Sequence, residues 1–241
     1  MARDNPFGAV RALTFDVFGT LVDWRESIAR EARDMLVPRG LKRDWHFFAD
    51  RWRLRYQPAL EKVRRGTRPW TRLDELHREN LLAVLKEFEI DELDEATIGE
   101  LNRAWHRLDP WPDVVEGLGR LKRKYILAAL SNGNVGLMVN LARYAQLPWD
   151  VILGAEIAGA YKPQPEVYDR AAAILDLAPG QCMMVAAHAD DLQAARRRGF
   201  RTAYVPRPEE WGPKRTRAIP EGTEFDIRAV NFYELVARLG C

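Results

Sequence analysis

The sequence predicts an α/β protein: a doubly wound parallel-sheet (Rossmann-like) core interrupted by an all-helical cap. Three observations carry that prediction. A short apolar strand stands near the start of the chain, a long block of helical periodicity follows it, and after Pro110 and Pro112 short apolar runs alternate with helical stretches. Strand alternating with helix means a parallel sheet. Because one strand precedes the helical block and the others follow it, the block reads as an insertion. The expected division is residues 1–22 and 110–241 for the core and 23–109 for the cap.

Apolar residues from Ala9 to Phe15, broken only by Arg11 and Thr14, suit a buried strand over Val10 to Phe15. The helical pattern then runs from Glu26 to Leu108. Trp45, Phe48, Trp52 and Tyr56 are spaced by three and four, Leu73, Leu76, Leu81, Leu82 and Leu85 continue the pattern, and no strand interrupts it. Further strands are expected at Tyr125 to Leu130, Val151 to Leu153, Met183 to Ala187 and Thr202 to Val205. Neither repeats nor low-complexity linkers appear.

Composition excludes several classes of protein. With 241 residues, 47% apolar and 30% charged, the chain can bury a full core and is not a disordered one. The net charge is +2 and basic residues are scattered, so nucleic acid is not an expected partner. Arg196-Arg197-Arg198 and the cluster from Lys214 to Arg217 read as solvated surface. Cys182, inside an apolar run, and Cys241, the last residue, form neither a disulfide framework nor a metal site. The first six residues carry no apolar signal, and no run approaches the ~20 apolar residues that cross a bilayer. A soluble cytoplasmic protein is expected.

Four segments fall at the predicted carboxyl ends of strands or in the loops that follow: Asp16 with Thr20, Ser131-Asn132-Gly133, Lys162-Pro163, and His188 to Asp191. In a parallel sheet these ends converge on one crevice. Gly19 lets the chain turn sharply, so Asp16 is presented as a nucleophile. A carboxylate nucleophile needs a hydroxyl or amide to hold it, a cation to offset its charge and a base to activate water; the segments supply each type. Every one has a structural alternative. Asp16 or Asp191 could cap a helix, Thr20 and Ser131 likewise, Lys162 could be a turn lysine, Asn132 a turn former, and Tyr168 a core aromatic. His46, His77 and His106 have no metal-ligand spacing and read as surface or packing residues. The tryptophans of the helical block read as packing rather than as a partner surface.

Taken in order, Asp16-Val17-Phe18-Gly19-Thr20, Leu130-Ser131-Asn132-Gly133, Lys162-Pro163 through Tyr168, and Ala186 to Asp191 resemble the haloacid dehalogenase superfamily over nearly the whole chain. Tyr168, six residues after Lys162, and the helical block directly after the first motif look like the L-2-haloacid dehalogenase type. Two positions depart from the phosphatases of that superfamily. Phe18 stands where they carry the acid that protonates the leaving oxygen, and Ala187 where they carry a magnesium-binding Asp. Both departures speak against a phosphatase, the main alternative, since phosphoryl transfer leans on the metal. A non-catalytic binding protein on the same fold, the other alternative, leaves four retained motifs without a purpose.

The resemblance implies hydrolysis of short 2-haloacids through an aspartyl ester on Asp16, with inversion at carbon-2 and no metal or other cofactor. It gives Lys162 and Thr20 to the nucleophile, Asp191 to the hydrolytic water, and Tyr168 to charge or water near the lysine. His188 positions that water or assists as a base. Ser131 is expected at the substrate carboxylate, Asn132 at the halide, and Val17 and Phe18 at the substrate. A cap arginine faces the halide, with Arg53 chosen over Arg51 and Arg55 because it follows Trp52. Asp190 adds a second candidate carboxylate. A halogenated carboxylic acid is the implied partner, and a homodimer the implied assembly.

Overall fold

The computed structural model describes residues 7–213 and 223–241. The N-terminal six residues and the Lys214 to Arg217 cluster lie outside the described residues. Among those described, six parallel strands form one sheet: β1 (Ala12–Phe15), β4 (Ile126–Ser131), β5 (Val151–Gly154), β6 (Cys182–Ala186), β7 (Arg201–Tyr204) and β8 (Ile227–Arg228). Their spatial order is β5-β4-β1-β6-β7-β8. The chain winds outward from β1 to β4 and β5, then returns to the other side of β1 for β6 and β7. The reversal at β1 is the switch point beside which open sheets bind ligands.

Alternation along each strand builds two apolar layers. Leu13 and Phe15 of β1, with Leu127, Ala129, Met183 and Val185, face one side. There they meet α6 (Val114–Leu121), α7 (Val135–Tyr144) and α11 (Phe232–Leu239). Ala12, Ala128, Leu130 and Met184 face the other, under α9 (Pro165–Ile174) and α10 (Ala189–Arg197). The first layer continues without a break into the helical block.

The chain enters and leaves that block through a two-stranded antiparallel ribbon, β2 (Val22–Asp23) on β3 (Asp109–Pro110). Between them lie α1 (Trp24–Leu36), α2 (Trp45–Leu54), α3 (Tyr56–Arg64), α4 (Leu73–Glu87) and α5 (Glu95–Asn102). Three of these starts are fixed by capping aspartates: Asp23 accepts Glu26 N–H, Asp44 accepts Phe47 N–H and Asp94 accepts Thr97 N–H. Trp24, Trp52 and Trp105 are fully buried, whereas Trp70 is partly exposed against Tyr161. The expected strands are all present, within two residues at each end. The ribbon and β8, each two residues per strand, were not expected, because so short a run carries no periodicity. Arg196, Arg197 and Arg198 are exposed, as expected, and no helix of the described residues is long and apolar enough to cross a membrane.

Candidate active site

Asp16 follows β1 directly and extends its ladder, its N–H donating to Val185 O at 3.1 Å. The carboxylate is buried (7% exposed) yet fully partnered. Oδ1 accepts from Lys162 Nζ at 2.9 Å; Oδ2 accepts from Thr20 Oγ1 at 2.7 Å and meets His188 Nδ1 at 2.8 Å. Thr20 is itself fixed by Ala187 N–H at 2.9 Å. The residue whose side chain holds no carboxylate therefore serves the site through its backbone.

Lys162 leaves the loop before α9 through a cis peptide to Pro163, with its N–H on Asn132 Oδ1 at 2.8 Å. Its ammonium lies between two carboxylates, reaching Asp191 Oδ2 at 2.5 Å as well as Asp16. The other oxygen of Asp191 accepts from the Tyr168 hydroxyl at 2.6 Å. Asn132 Nδ2 donates to Tyr56 OH at 3.0 Å, tying the end of β4 to the helical block.

Burial alone would raise the Asp16 pKa, but the charges and hydrogen bonds of Lys162 and His188 overcome it and hold the carboxyl well below the usual range. Burial dominates at Asp191, which is raised, the more so because Asp16 lies close. Lys162 is pushed up against its desolvation by the two carboxylates, and Tyr168 is pushed up by burial and by Asp191, so the phenol stays a donor. For His188 burial works downward, yet Glu210 and Asp16 carry it to about 10, so the ring is an imidazolium at neutral pH.

These groups open on a cavity of about 130 Å³, well below the 300 Å³ or more that drug-sized ligands occupy. Asp16, Lys162, His188, Asp190 and Asp191 form its floor. Phe18, Asn132 and Pro163 line its side, and Arg53, Tyr56, Gln57 and Arg64 close it from the helical block. Arg53 Cζ stands 4.3 Å from the centre of the Tyr56 ring and 5.5 Å from that of Trp24, and its buried Nη1 has no hydrogen-bond partner. Arg51 and Arg55 turn away to Glu87, at 2.5 and 2.6 Å. Phe18 packs edge-on to Trp105.

The arrangement departs from the sequence reading in two places, Ser131 and Val17, while Thr20 and Tyr168 stand where it expected them. Ser131 does not line the cavity; it is fully buried and its Oγ accepts the Gly133 N–H at 3.1 Å, shaping the turn that presents Asn132. Val17 is likewise buried and off the cavity surface. Thr20 and Tyr168 stand behind the carboxylates they bond rather than on the surface. Tyr56, Gln57, Arg64 and Glu210 were missed. Tyr56 was absorbed into the apolar helix pattern, and Gln57 and Arg64 follow it on α3. Glu210 sits in an irregular loop, findable only as an acidic residue shortly beyond a strand's carboxyl end. Of the helical-block histidines, His77 is buried against Trp105 and His106 pairs with Asp74, while His46 meets Glu26 at the surface.

A family model for haloacid dehalogenase-like hydrolases matches residues 10–199. The chain belongs to the haloacid dehalogenase-like hydrolases. Within that family it is 29% identical over 208 residues to (S)-2-haloacid dehalogenase 1 of Pseudomonas sp. (strain CBS-3), covering 84% of this chain and 88% of the relative. Two solved structures are more similar. The defluorinating L-2-haloacid dehalogenase Rha0230 is 46% identical with a TM-score of 0.93, and 96% of each chain is covered. The L-2-haloacid dehalogenase PA0810 is 45% identical with a TM-score of 0.92, covering 96% of this chain and 99% of that one. The family's doubly wound sheet thus places Asp16 and Asp191 inside the matched segment, with Glu210 beyond it.

Proposed function

We propose that this hydrolase removes halogen from short 2-haloacids, giving 2-hydroxyacids by way of an ester on Asp16. The observation that carries the reading is a buried, ionised carboxylate on a small cavity that is also lined by Arg53, whose buried Nη1 has no hydrogen-bond partner. The nucleophile and an unpartnered guanidinium nitrogen that can receive the departing anion belong to one cavity, as a displacement by Asp16 requires. Relatives named for this reaction support it. In the proposal, residues 1–22 and 110–241 act as the core and 23–109 as the cap; the protein is read as a cytoplasmic homodimer, and neither point enters the chemistry.

In the first step an Asp16 oxygen attacks carbon-2, the carbon–halogen bond breaks and halide leaves toward Arg53, so that carbon-2 inverts. Halide departs as a stable anion, so Phe18, which cannot donate a proton, suffices where a phosphatase needs an acid. Lys162 and Thr20 orient the carboxylate by holding one oxygen each, so the oxygen that remains the ester carbonyl keeps a donor as water attacks. Asn132 and Phe18 shape the space around carbon-2, and Ser131 and Val17 act by holding their turns. Both oxygens of Asp191 are engaged by Lys162 and Tyr168, which gives Asp191 the task of fixing the ammonium.

The test is halide release from chloroacetate, fluoroacetate and each enantiomer of 2-chloropropionate, with excess chelator, for the wild type and Asp16→Asn. Chelator-resistant release from the L enantiomer, yielding the D-hydroxyacid and lost in the variant, is the expected result. Magnesium-dependent phosphate release from phosphoesters, with no halide from any substrate, would overturn the reading.

A further inference from the structure

Glu210 lies outside the segment that the family model matches, yet it reaches the centre of the site. The residue is 4% exposed, and its two oxygens meet His188 Nε2 at 3.1 and 3.0 Å. Oε1 also accepts from Trp24 Nε1 at 3.1 Å, which fixes the carboxylate from the helical block. The other nitrogen of His188 faces Asp16, and the ring lines the cavity. Gly19 has φ +83, and a Cβ there would collide with the Glu210 carboxylate. A glycine three residues after the nucleophile thus serves both the turn and the approach of Glu210.

A buried carboxylate carries a desolvation cost that an ion pair only partly offsets. An ion pair serving stability alone needs neither a cavity wall nor a bond to the nucleophile. Here one imidazole bridges the nucleophile to a carboxylate fixed by an indole, and that line is the geometry of a base held by an orienting anion.

We propose that His188 is the base that activates water in the second half-reaction, and that Glu210 is the positioning residue that fixes its ring. The inference rests on the reading of Asp16 as the residue that becomes the ester. In the free enzyme His188 is charged between two carboxylates. Alkylation removes the negative charge of Asp16, and Nδ1 gives its proton to solvent; this is the one proton that conversion of a haloacid and water to hydroxyacid and halide must release. Water then attacks Asp16 Cγ. Its oxygen bonds to that carbon while its proton passes to Nδ1, and the bond from Cγ to the alkyl oxygen breaks. The carboxyl proton left on Asp16 goes to the departing alkoxide, which restores the starting carboxylate and imidazolium. Glu210 keeps its charge throughout, so the ring returns to the same orientation in each cycle.

The test mixes Glu210→Gln and His188→Gln with excess L-2-chloropropionate and follows halide per active site together with the intact mass of the quenched protein. Both variants are expected to release about one halide per site and then stall as a covalent adduct on Asp16, with breakdown of the ester slowed by ~10²-fold or more. Glu210→Asp, which keeps the charge, should recover part of that rate. Turnover near the wild-type rate in either Gln variant, or loss of the halide burst in one that melts like the wild type, would overturn the assignment. If Glu210→Gln does not fold, Glu210→Asp is read instead, and normal breakdown of the ester in His188→Gln is sufficient to reject the relay. A wild type that releases no halide would overturn the dehalogenase reading itself, a result separate from these.

Discussion

The floor of the cavity and its wall from the helical block treat polar groups in opposite ways. Asp16, Lys162, Asp191 and His188 of the floor, with Tyr168 and Glu210 behind them, are buried or nearly so, and each of these side chains is bonded to another. In the helical block, Arg53 Nη1, both ring nitrogens of His77 and Trp105 Nε1 are buried with no hydrogen-bond partner among the described residues. An unpaired buried donor costs about 1–3 kcal/mol. The contrast suggests a division of labour: the floor is completed in advance because its geometry sets the reaction, and at Arg53 the wall is left incomplete where an anion arrives.

Substitutions can break that contrast. The largest effect should come from Asp16→Asn, with halide release falling by roughly 10⁴-fold or more when the nucleophile is lost. Lys162→Met leaves Asp16 and Asp191 without the cation they share and should cost about 3–5 kcal/mol in urea unfolding, besides abolishing turnover. Arg53→Met tests the other side. Removing a guanidinium with an unpartnered Nη1 should change stability by less than ~1 kcal/mol, yet lower kcat/KM for haloacids by ~10²-fold. A loss of stability equal to that of Lys162→Met would show that wall and floor are built alike.

A pH series sharpens the same point. His188 is pushed up to about 10 from the ordinary imidazole value of 6.5, so its contribution is fully present below pH 6.5 and is lost as pH rises through 10. The difference in unfolding free energy between the wild type and His188→Asn should therefore be flat below pH 6.5 and shrink above it; a difference that grows toward pH 10 would contradict the imidazolium. The smallest effect is expected of Arg51→Ala and Arg55→Ala, whose partner Glu87 lies on the outer face. Each should alter stability by at most ~1 kcal/mol and leave halide release within twofold, separating Arg53 from its neighbours.

Much of the floor could be read from the sequence because strand ends are visible as apolar runs, and each of its motifs follows one or lies a few residues beyond one. Asp16, Asn132, Lys162, His188 and Asp191 are found that way. Arg53 could be singled out by its place after Trp52, and the structure supplies the reason: one helical face packs Trp52 inward while Arg51 and Arg55 meet Glu87. The wall was less legible. Tyr56, Gln57 and Arg64 reach the cavity from α3 by how that helix packs over the core, which no spacing encodes. Glu210 was hidden for another reason: its loop has no periodicity, and its partner Trp24 lies 186 positions away.

That separation bears on how the protein comes into being. Lys162 lies 146 positions from Asp16, His188 lies 172 from it, and the indole that holds Glu210 belongs to the first helix. While the chain is being synthesised, the nucleophile and that helix emerge early and wait for nearly all the rest before their counter-charges exist. A nascent or truncated chain that ends before Lys162 holds the carboxylate without either of its cations. Activity in this protein therefore waits on contacts between the first strand and residues 146 and 172 positions later, formed only once the sheet has closed around β1.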